Sequence, residues 1–591
     1  MRLKGFLPTT KEETVNLGWK KVDIVIVTGD AYLDHPYFEA VSVARYLIAR
    51  GYRVALLSHP AADEVNELNR FGEPELFFYV TAGQKDSMAA NYTPFLKFKS
   101  TDPYQPAGKR GSRPDRALIR YTQKIREKFK KIPIIIGGLE ASLRRVSHFD
   151  FWSGKVRKPV IFDAKADLLL FGSCEINLEI IARHLRGNNS LSDLTELSGT
   201  AYISADEPRF KQIRLPDFNA VSKDKEAFLE MSKLFLSNLN QYSSPPLVQQ
   251  VTERYLVVNK PARPYSQEEM DYICELPYTR RPHPSYQGEI PAKAILDGLI
   301  ITHRGKPGGD HFGTQILHQG RDLSWRSINS IRNECMSLAK AKTFKNFFRN
   351  YGPDNPDLYG VHGKNQSLCG KCPRLTCLAP DYCSNLTMSE NHRSKLLLEI
   401  DQLDGVRNHY LAPLPDGRLL SKDSDFMKDL IMKRHNGFIT FFAGSCQNTA
   451  RKLLDLEPWN EFASFIEYFK KRCGEFGKKV EIRVEMIAGY PGETLETTVD
   501  NLLKLKKLEV VVSRVYPFVP MPSTKAATIH YTGKDPRTGT EVTVSPSMKL
   551  KEEMVLLYDI DNKKAHPEIH RILKRIGLEQ HFNTIYHKSL K

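Results

Sequence analysis

The sequence has no apolar stretch that approaches the ~20 consecutive residues of a transmembrane helix. Its N-terminal segment begins with basic residues but lacks the apolar core of a secretory signal peptide. The mean hydropathy is −0.41. Together these absences exclude a helical membrane protein and predict a cytoplasmic protein that does not use the membrane as a partner.

Acidic residues are fewer than basic residues. There are 69 Asp and Glu against 86 Lys and Arg, so the net charge is +17. Exposed basic side chains attract polyanions such as nucleic acid. However, the basic residues are scattered, and no RNA-binding motif with interleaved aromatics is present. Two interpretations stay open: a nucleic-acid partner, or an ordinary basic surface on a protein with an unknown small-molecule or macromolecular partner.

The first third of the chain alternates apolar runs with helical patterns. Residues 23–28 and 52–58 are strand-like, residues 37–50 are helical between them, and the later runs 133–136 and 166–171 each end in glycine. Strands buried on both faces of a parallel sheet have such continuous Val, Ile and Leu runs. The pattern predicts an α/β domain over 1–190 with a doubly wound parallel sheet, flavodoxin-like or cobalamin-binding-like in topology.

In such a sheet, ligands bind at the carboxyl ends of the strands. His35, His59 and His148 lie near those ends, so they are candidate ligand contacts. The competing interpretation is that each is a surface or supporting hydrogen-bonding residue.

Residues 191–290 are richer in polar residues and Pro, which predicts a connector and a wrapping segment. From residue 291 to about 520 a second alternation predicts six βα repeats, hence a (β/α)6 partial barrel with its site at the strand C-terminal ends. Residues 521–591 form a C-terminal extension. The predicted barrel strands are 299–303, 345–351, 407–413, 437–443, 481–488 and 509–517.

The loop after the first barrel strand reads THRGKPGGDHFGTQILHQGR, from Thr302 to Arg321. This loop resembles that of YgiQ-type radical S-adenosylmethionine (SAM) proteins, whose corresponding loop carries three cysteines between an HRG start and an HQGR or HEGR end. Other strings with the same resemblance are FLPTTKEE, VTGDAYLDHPYF, GGLEASLRR, LPYTRRPHPSY and HYTGKDPRTGTEV. The resemblance covers residues 1 to about 545.

The resemblance implies a radical SAM fold and a cluster loop in which three thiolates bind a four-iron, four-sulfur cluster and the open iron holds SAM. In this chain Lys306, Asp310 and Gly313 stand at the three cysteine positions, within a retained frame that includes Gly308 and Gly309. Thiolates are soft ligands that suit iron, and an ammonium group or a glycine cannot replace them. The ordinary cluster is therefore not expected here.

The sequence IAGYPGETLE, residues 487–496, resembles the GxPGETxE pattern beside the nucleoside in many radical SAM barrels. The resemblance implies that Gly489, Gly492 and Glu493 contact a cofactor. The equally weighted alternative is a strand-to-helix turn that needs two glycines and a capping residue for folding alone. The family's Gly-Pro-Thr-Ala-Asn-Met-Tyr motif is reduced to Gly352, Pro353 and Tyr359.

Four of the nine cysteines lie within fifteen residues, at Cys369, Cys372, Cys377 and Cys383, inside a predicted insertion at 365–386. Four thiols can complete a tetrahedral zinc site or hold an iron-sulfur cluster. With all four positions filled by cysteine, such a site leaves no iron open for SAM, so it would be structural or electron-transferring.

Three functions remain open from the sequence. The first is a non-catalytic or regulatory radical SAM-like protein that has lost its cluster. The second is an active enzyme whose cluster is held by the later cysteines or by a partner. The third is a basic module that uses the same fold to bind RNA or protein.

Overall fold

The computed structural model describes residues 3–61, 65–308, 313–341, 344, 347–348, 350–351, 358–388, 392–406, 408–409, 415–421, 424–545 and 547–587.

The N-terminal half is built on one nine-stranded sheet and a small hairpin. Its strands are β1 Ile24–Thr28, β2 Val54–Ser58, β3 Phe77–Thr81, β4 Ile134–Gly137, β5 His148–Asp150, β6 Lys155–Arg157, β7 Leu168–Leu170, β8 Thr200–Ser204, β9 Ile213–Leu215, β10 Leu247–Val251 and β11 Arg254–Val258.

The strand order of the large sheet is β2-β1-β3-β4-β7-β8-β11-β10-β9. Its first five strands are parallel. This is the flavodoxin-like order, in which the chain reverses direction across the sheet between β1 and β3. The predicted doubly wound α/β fold is confirmed.

Helices cover both faces of this sheet and bury its apolar strands. They are α1 Lys11–Asn16, α2 Glu39–Ala49, α3 Val65–Leu68, α4 Ser87–Asn91, α5 Ala117–Lys128, α6 Gly138–Leu143, α7 Val160–Ala164, α8 Glu175–Arg186, α9 Phe218–Lys223, α10 Lys225–Ser237, α11 Gln267–Cys274 and α12 Ala292–Leu296. Every residue of β1, β3 and β4 is buried, which is why these strands are continuously apolar.

The segment predicted as a connector is ordered into the same sheet. Strands β8 to β11 extend the sheet beyond β7, and β8 and β11 join by antiparallel pairing. These strands are short and mix polar with apolar residues, as in LVQQV of β10 and RYLVV of β11, unlike the continuous apolar runs of the parallel strands. The remainder, residues 259–290, contains α11 and an antiparallel bridge between Pro282 and Leu33. Its predicted wrapping role stays a prediction.

The C-terminal half contains parts of all six predicted barrel strands in parallel pairing, and the predicted strand 345–351 contributes two short strands. β12 pairs with β16, β15 pairs with β19, and β20, β21 and β22 form a three-stranded sheet. Two antiparallel hairpins are added. The strands are β12 Leu299–Ile300, β13 His303–Arg304, β14 Ser324–Trp325, β15 Phe347–Phe348, β16 Asn350–Tyr351, β17 Val361–Gly363, β18 Leu386–Met388, β19 Asn408–His409, β20 Phe438–Gly444, β21 Glu481–Ala488 and β22 Val511–Pro517.

Helices separate these strands and form the C-terminal extension. They are α13 Thr314–Gln319, α14 Ile328–Ala339, α15 Gln366–Lys371, α16 His392–Asp401, α17 Gly417–Leu420, α18 Ser424–Lys433, α19 Asn448–Leu453, α20 Trp459–Glu475, α21 Leu495–Lys507, α22 Lys525–Thr532, α23 Met548–Leu557, α24 His566–Arg575 and α25 Phe582–Tyr586.

Two large apolar cores follow this division. One lies around the nine-stranded sheet and the other around β20, β21 and the helices that cover them. Within the described part of the chain, no helix is long and apolar enough to cross a membrane. The predicted domain bounds remain a prediction.

Candidate functional site

The loop that resembles the radical SAM cluster loop is a hairpin. β13 pairs antiparallel with β14, and α13 lies between them. Gly305 has φ +95°, and a Cβ there would collide with the carbonyl oxygen of Asp322. The Lys306 N–H donates to the carbonyl oxygen of Gly320 at 3.0 Å, which closes the base of the hairpin. The HRG and HQGR ends of the motif are therefore brought together by the fold.

At the first cysteine position, Lys306 is only 6% exposed. Its ammonium lies close enough to Asp416 to lower that carboxyl's pKa, together with Arg418 and against the opposing effect of burial. Burial and the Lys306 charge also lower the pKa of His303 to about 4. A buried lysine occupies this position.

The other two positions also lack a soft ligand. Gly313 caps the start of α13 with φ +70° and has no side chain. Asp310 lies outside the described residues, as do Gly309, Gly352 and Pro353. Iron needs thiolate or a comparable soft donor at each corner, and neither Lys306 nor Gly313 supplies one. The residues present do not fit a four-iron, four-sulfur cluster.

Gly308 is held close to the cysteine-rich segment. A Cβ on Gly308 would lie 2.7 Å from Leu378 Cδ1, and the Cys377 N–H donates to the carbonyl oxygen of Pro307 at 2.6 Å. Close packing between the two segments therefore explains the glycine. The family resemblance also implies that Gly308 and Gly309 contact the cofactor, and this stays a prediction.

The cysteine-rich segment is docked on the same hairpin. Arg321, from the HQGR end, donates to the carbonyl oxygens of Cys369 and Arg374, and Asn240 Nδ2 donates to those of Cys369 and Cys372 at 3.0 Å each. The two segments thus form one structural unit, which sequence spacing did not predict.

The four thiols lie in this unit, on α15 and the turn that follows it. The Cys383 N–H donates to the carbonyl oxygen of Cys377 at 2.8 Å. Burial raises the pKa of Cys377 to about 12 and also raises that of Cys369. Among the described residues, no group of three or more His, Cys, Asp and Glu side chains has the geometry of a metal site. Metal binding by Cys369, Cys372, Cys377 and Cys383 remains a prediction.

Substituting Cys377 tests that prediction. After anaerobic incubation with zinc or with iron and sulfide, then desalting, we expect wild-type protein to retain about one zinc ion or cluster per chain and Cys377→Ser to retain at least roughly tenfold less. The physical reason is that three thiolates cannot close a four-ligand site. Elemental analysis gives the content, and Cys473→Ser, which removes a buried thiol in α20, is the control. Equal metal in both variants would contradict the site.

The GxPGETxE segment is the turn between β21 and α21. Gly489 and Gly492 have φ values of +74° and +90°, and the Thr494 hydroxyl accepts from the Thr497 N–H at the helix start. A Cβ on Gly489 would lie 3.0 Å from Cγ of the buried Lys551. These contacts account for the turn residues by folding alone, the second of the two interpretations.

Glu493 is fully engaged inside this turn. It accepts hydrogen bonds from Ser445 Oγ at 2.6 Å, from Asn501 Nδ2 at 3.1 Å and from the Tyr490 N–H at 3.3 Å. The side chain is buried, and burial raises its pKa to about 7. Cofactor contact by Gly489, Gly492 and Glu493 stays a prediction.

A cavity at the carboxyl edge of the N-terminal sheet brings together residues that sequence reasoning did not select. We call it the sheet-edge crevice. Its lining includes Tyr37, Glu39 and Gln84 on the sheet side and His303, Arg304 and His318 on the hairpin side. Glu39 begins α2 and Gln84 lies in the loop after β3. Neither belongs to a motif identified in the sequence, so no signal there marked them.

The three histidines expected at that edge serve the fold instead. The buried His35 accepts from the Tyr37 N–H at 3.0 Å and lies 3.1 Å from Arg280 Nη1. His59 packs against the Tyr286 ring, and His148 Nδ1 lies 3.1 Å from the Val146 carbonyl oxygen. None of the three is among the residues that line the crevice.

Comparison with known proteins gives a consistent picture over nearly the whole chain. The family model "Radical SAM N-terminal" matches residues 6–297. A UPF0313 protein of Methanocella arvoryzae is 36% identical over 569 residues, which cover 96% of this chain and 94% of the relative. A UPF0313 protein of Thermotoga maritima is 36% identical, covering 93% of this chain and 97% of the relative.

Among solved structures, the chain is similar to TsrM of Kitasatospora setae, described as a radical S-adenosylmethionine methyltransferase with cobalamin and a [4Fe-4S] cluster bound. The identity is 13% and the TM-score 0.48, with 84% of this chain and 76% of TsrM covered.

Proposed function

Since this chain belongs to the UPF0313, or YgiQ-type, family of radical SAM proteins, we propose that it is a member that does not cleave SAM and acts through binding. The observation that carries the proposal is Lys306, a buried ammonium at the first cluster position. A lysine ammonium carries no lone pair and so offers iron nothing to bind.

The packing around the hairpin supports the same proposal. Leu378 lies against Gly308, and Cys377 donates to Pro307, so the cysteine-rich segment covers the backbone beside the cluster positions. The hairpin is stabilised by protein contacts that need no cluster. A hairpin folded in this way preserves the architecture of the family while its chemistry is lost.

The decisive measurement is SAM cleavage after anaerobic reconstitution with iron and sulfide. We expect no 5'-deoxyadenosine above the protein-free background, because no open iron is available to bind SAM. Mass spectrometry quantifies the product, and electron paramagnetic resonance reports any cluster. SAM cleavage by the wild-type protein would overturn the proposal, and its loss in Cys377→Ser would assign the activity to the later cysteines.

Restoring the cluster ligands provides the matched comparison. In a Cys377→Ser background, the triple substitution Lys306→Cys, Asp310→Cys and Gly313→Cys is expected to gain bound iron that the Cys377→Ser parent lacks. Among the described residues, a Cβ on Gly313 would meet only Thr524, at 3.7 Å, so they leave space for the new side chain, although φ +70° strains it. Iron bound equally by the parent would mean that the substituted positions are not what prevents cluster binding.

A further inference from the structure

The sheet-edge crevice lies where an open α/β sheet binds its ligands. The chain leaves β1 toward β2 and returns on the other side to β3, so the loops after β1 and β3 diverge and leave a gap. Tyr37 and Glu39 follow β1, and Gln84 follows β3. The cavity also lies between the two halves of the chain, a second preferred location for ligand sites.

The hairpin forms the opposite wall. His303 and Arg304 come from β13, and His318 comes from α13. Arg304 donates to both carboxylate oxygens of Glu175, at 2.9 and 3.1 Å, which fixes the hairpin against the start of α8. This ion pair therefore holds the hairpin in place as one wall of the cavity.

In its described part, the lining of the crevice offers no unpaired permanent cation to a ligand. Of its lining residues in the described part of the chain, Arg304 alone is a permanent cation, and Glu175 neutralises it. Burial and a nearby cation lower the pKa values of His303 and His318 to about 4, so both imidazoles are neutral at pH 7. An anion entering this cavity would lose its hydration without gaining a partner of opposite charge.

Hydrogen-bonding groups are plentiful by contrast. Glu39 Oε1 accepts from Tyr79 Oη and lies 3.3 Å from Cys174 Sγ. Its Oε2 has no hydrogen bond among the described residues. Burial raises the pKa of Glu39 to about 7, so near neutrality the carboxyl group can either donate or accept. Gln84 and the two imidazoles add further donors or acceptors.

The size of the cavity limits the ligand. Its volume is about 140 Å³, and engineered cavities of about 150 Å³ admit benzene. Pro36, Leu139 and Ile301 provide apolar surface for a ring. The space therefore fits one six-membered ring, with polar groups on its edge to meet Glu39 and the imidazoles.

We propose that the sheet-edge crevice binds an uncharged single-ring nitrogen heterocycle with amide or amino groups, the class of pyrimidine bases and nicotinamide. The proposal rests on the binding role proposed above and names its site and ligand class. Calorimetric titration of the full-length protein at pH 7 tests it with cytosine, uracil and nicotinamide as probes. Nicotinate is the matched anionic probe, because it differs from nicotinamide only in its ionised carboxylate.

At least one neutral probe is expected to bind. Nicotinamide is expected to bind at least about tenfold more tightly than nicotinate, because burying the nicotinate carboxylate without a cation is unfavourable. A tenfold ratio of dissociation constants corresponds to about 1.4 kcal/mol of binding free energy. Nicotinate binding as tightly as nicotinamide overturns the proposal. Failure of all three neutral probes to bind overturns it as well.

A blocking variant locates the site. Gln315 lines the crevice from α13, so Gln315→Trp fills the cavity and is expected to weaken binding of the neutral probe at least about tenfold, since a ligand ring cannot share its volume. Gln287→Trp makes the same substitution at an exposed loop position and is expected to bind as the wild type does. Equal binding by both variants places the ligand elsewhere and overturns the proposal.

Assays for 5'-deoxyadenosine on the same preparations separate this proposal from the loss of catalysis. Probe binding that Gln315→Trp abolishes supports the crevice even in a protein found to cleave SAM, and only the proposed function is then overturned. No binding in a protein that does not cleave SAM overturns the crevice alone.

Discussion

Replacing Arg304 with methionine is expected to lower the free energy of unfolding by about 3–5 kcal/mol, the cost of leaving a buried carboxylate without its cation. Glu175, at the start of α8, is 1% exposed. Besides Arg304, its carboxylate accepts from Ser42 Oγ at 2.6 Å and from Tyr265 Oη at 3.0 Å. These hydroxyls stay in the variant but do not balance the charge. Urea unfolding at pH 7 measures the loss.

A double substitution separates charge from packing. Arg304→Met with Glu175→Gln is expected to be more stable than Arg304→Met alone, because the amide carries no charge to bury. Its oxygen can accept from one of the two hydroxyls, and its NH2 can donate to the oxygen of the other. If the double variant is no more stable than the single one, the buried charge is not the cause of the loss.

The contribution of Glu175 to the pH dependence of stability should have opposite signs in the wild type and in Arg304→Met. Burial alone would raise the pKa of Glu175, but Arg304 holds it below its usual value. In the wild type the pair's contribution is present above the unfolded pKa and is lost as pH falls through the folded pKa. Without Arg304 burial raises the folded pKa, so in that variant acid should instead restore stability.

Much of the fold could be predicted from the sequence because buried parallel strands leave an unambiguous pattern. Residues 23–28 and 52–58 contain β1 and β2, and the helix predicted over 37–50 contains α2. Strands β8 to β11 were not predicted, since each is short and mixes polar with apolar residues, so no continuous apolar run marks it. β8 pairs with β7, and the other three strands join the sheet through β8 and one another.

The candidate sites were predictable only where a motif marked them. The hairpin frame from His303 to Arg321 was found because its residues are adjacent in sequence. The crevice was not, because Glu39, Gln84 and His318 meet only through the sheet order and the docking of the hairpin. Likewise, nothing in the spacing of Cys369 and Cys377 indicated that Arg321 and Pro307 hold their segment.

The second large expected effect concerns Glu493. Its contribution to stability should fall as pH rises, opposite to that of the Arg304–Glu175 pair. Its folded pKa of about 7 lies above the usual 4.5. The folded state therefore binds this proton more tightly, so the stabilisation is complete below pH 4.5 and is lost as pH rises through about 7. The difference between the two values corresponds to about 3 kcal/mol.

Glu493→Gln removes this ionisation while its Oε1 can still accept from Ser445 and Asn501. Relative to the wild type, the variant should gain about 2.5 kcal/mol of unfolding free energy between pH 5 and pH 8, because only the wild type must bury a carboxylate at the higher pH. Urea unfolding at both values measures the difference, and Glu496→Gln, at an exposed position of α21, is the control. A difference that stays constant with pH would mean that Glu493 is ionised throughout, and its three hydrogen bonds would then outweigh the cost of burial.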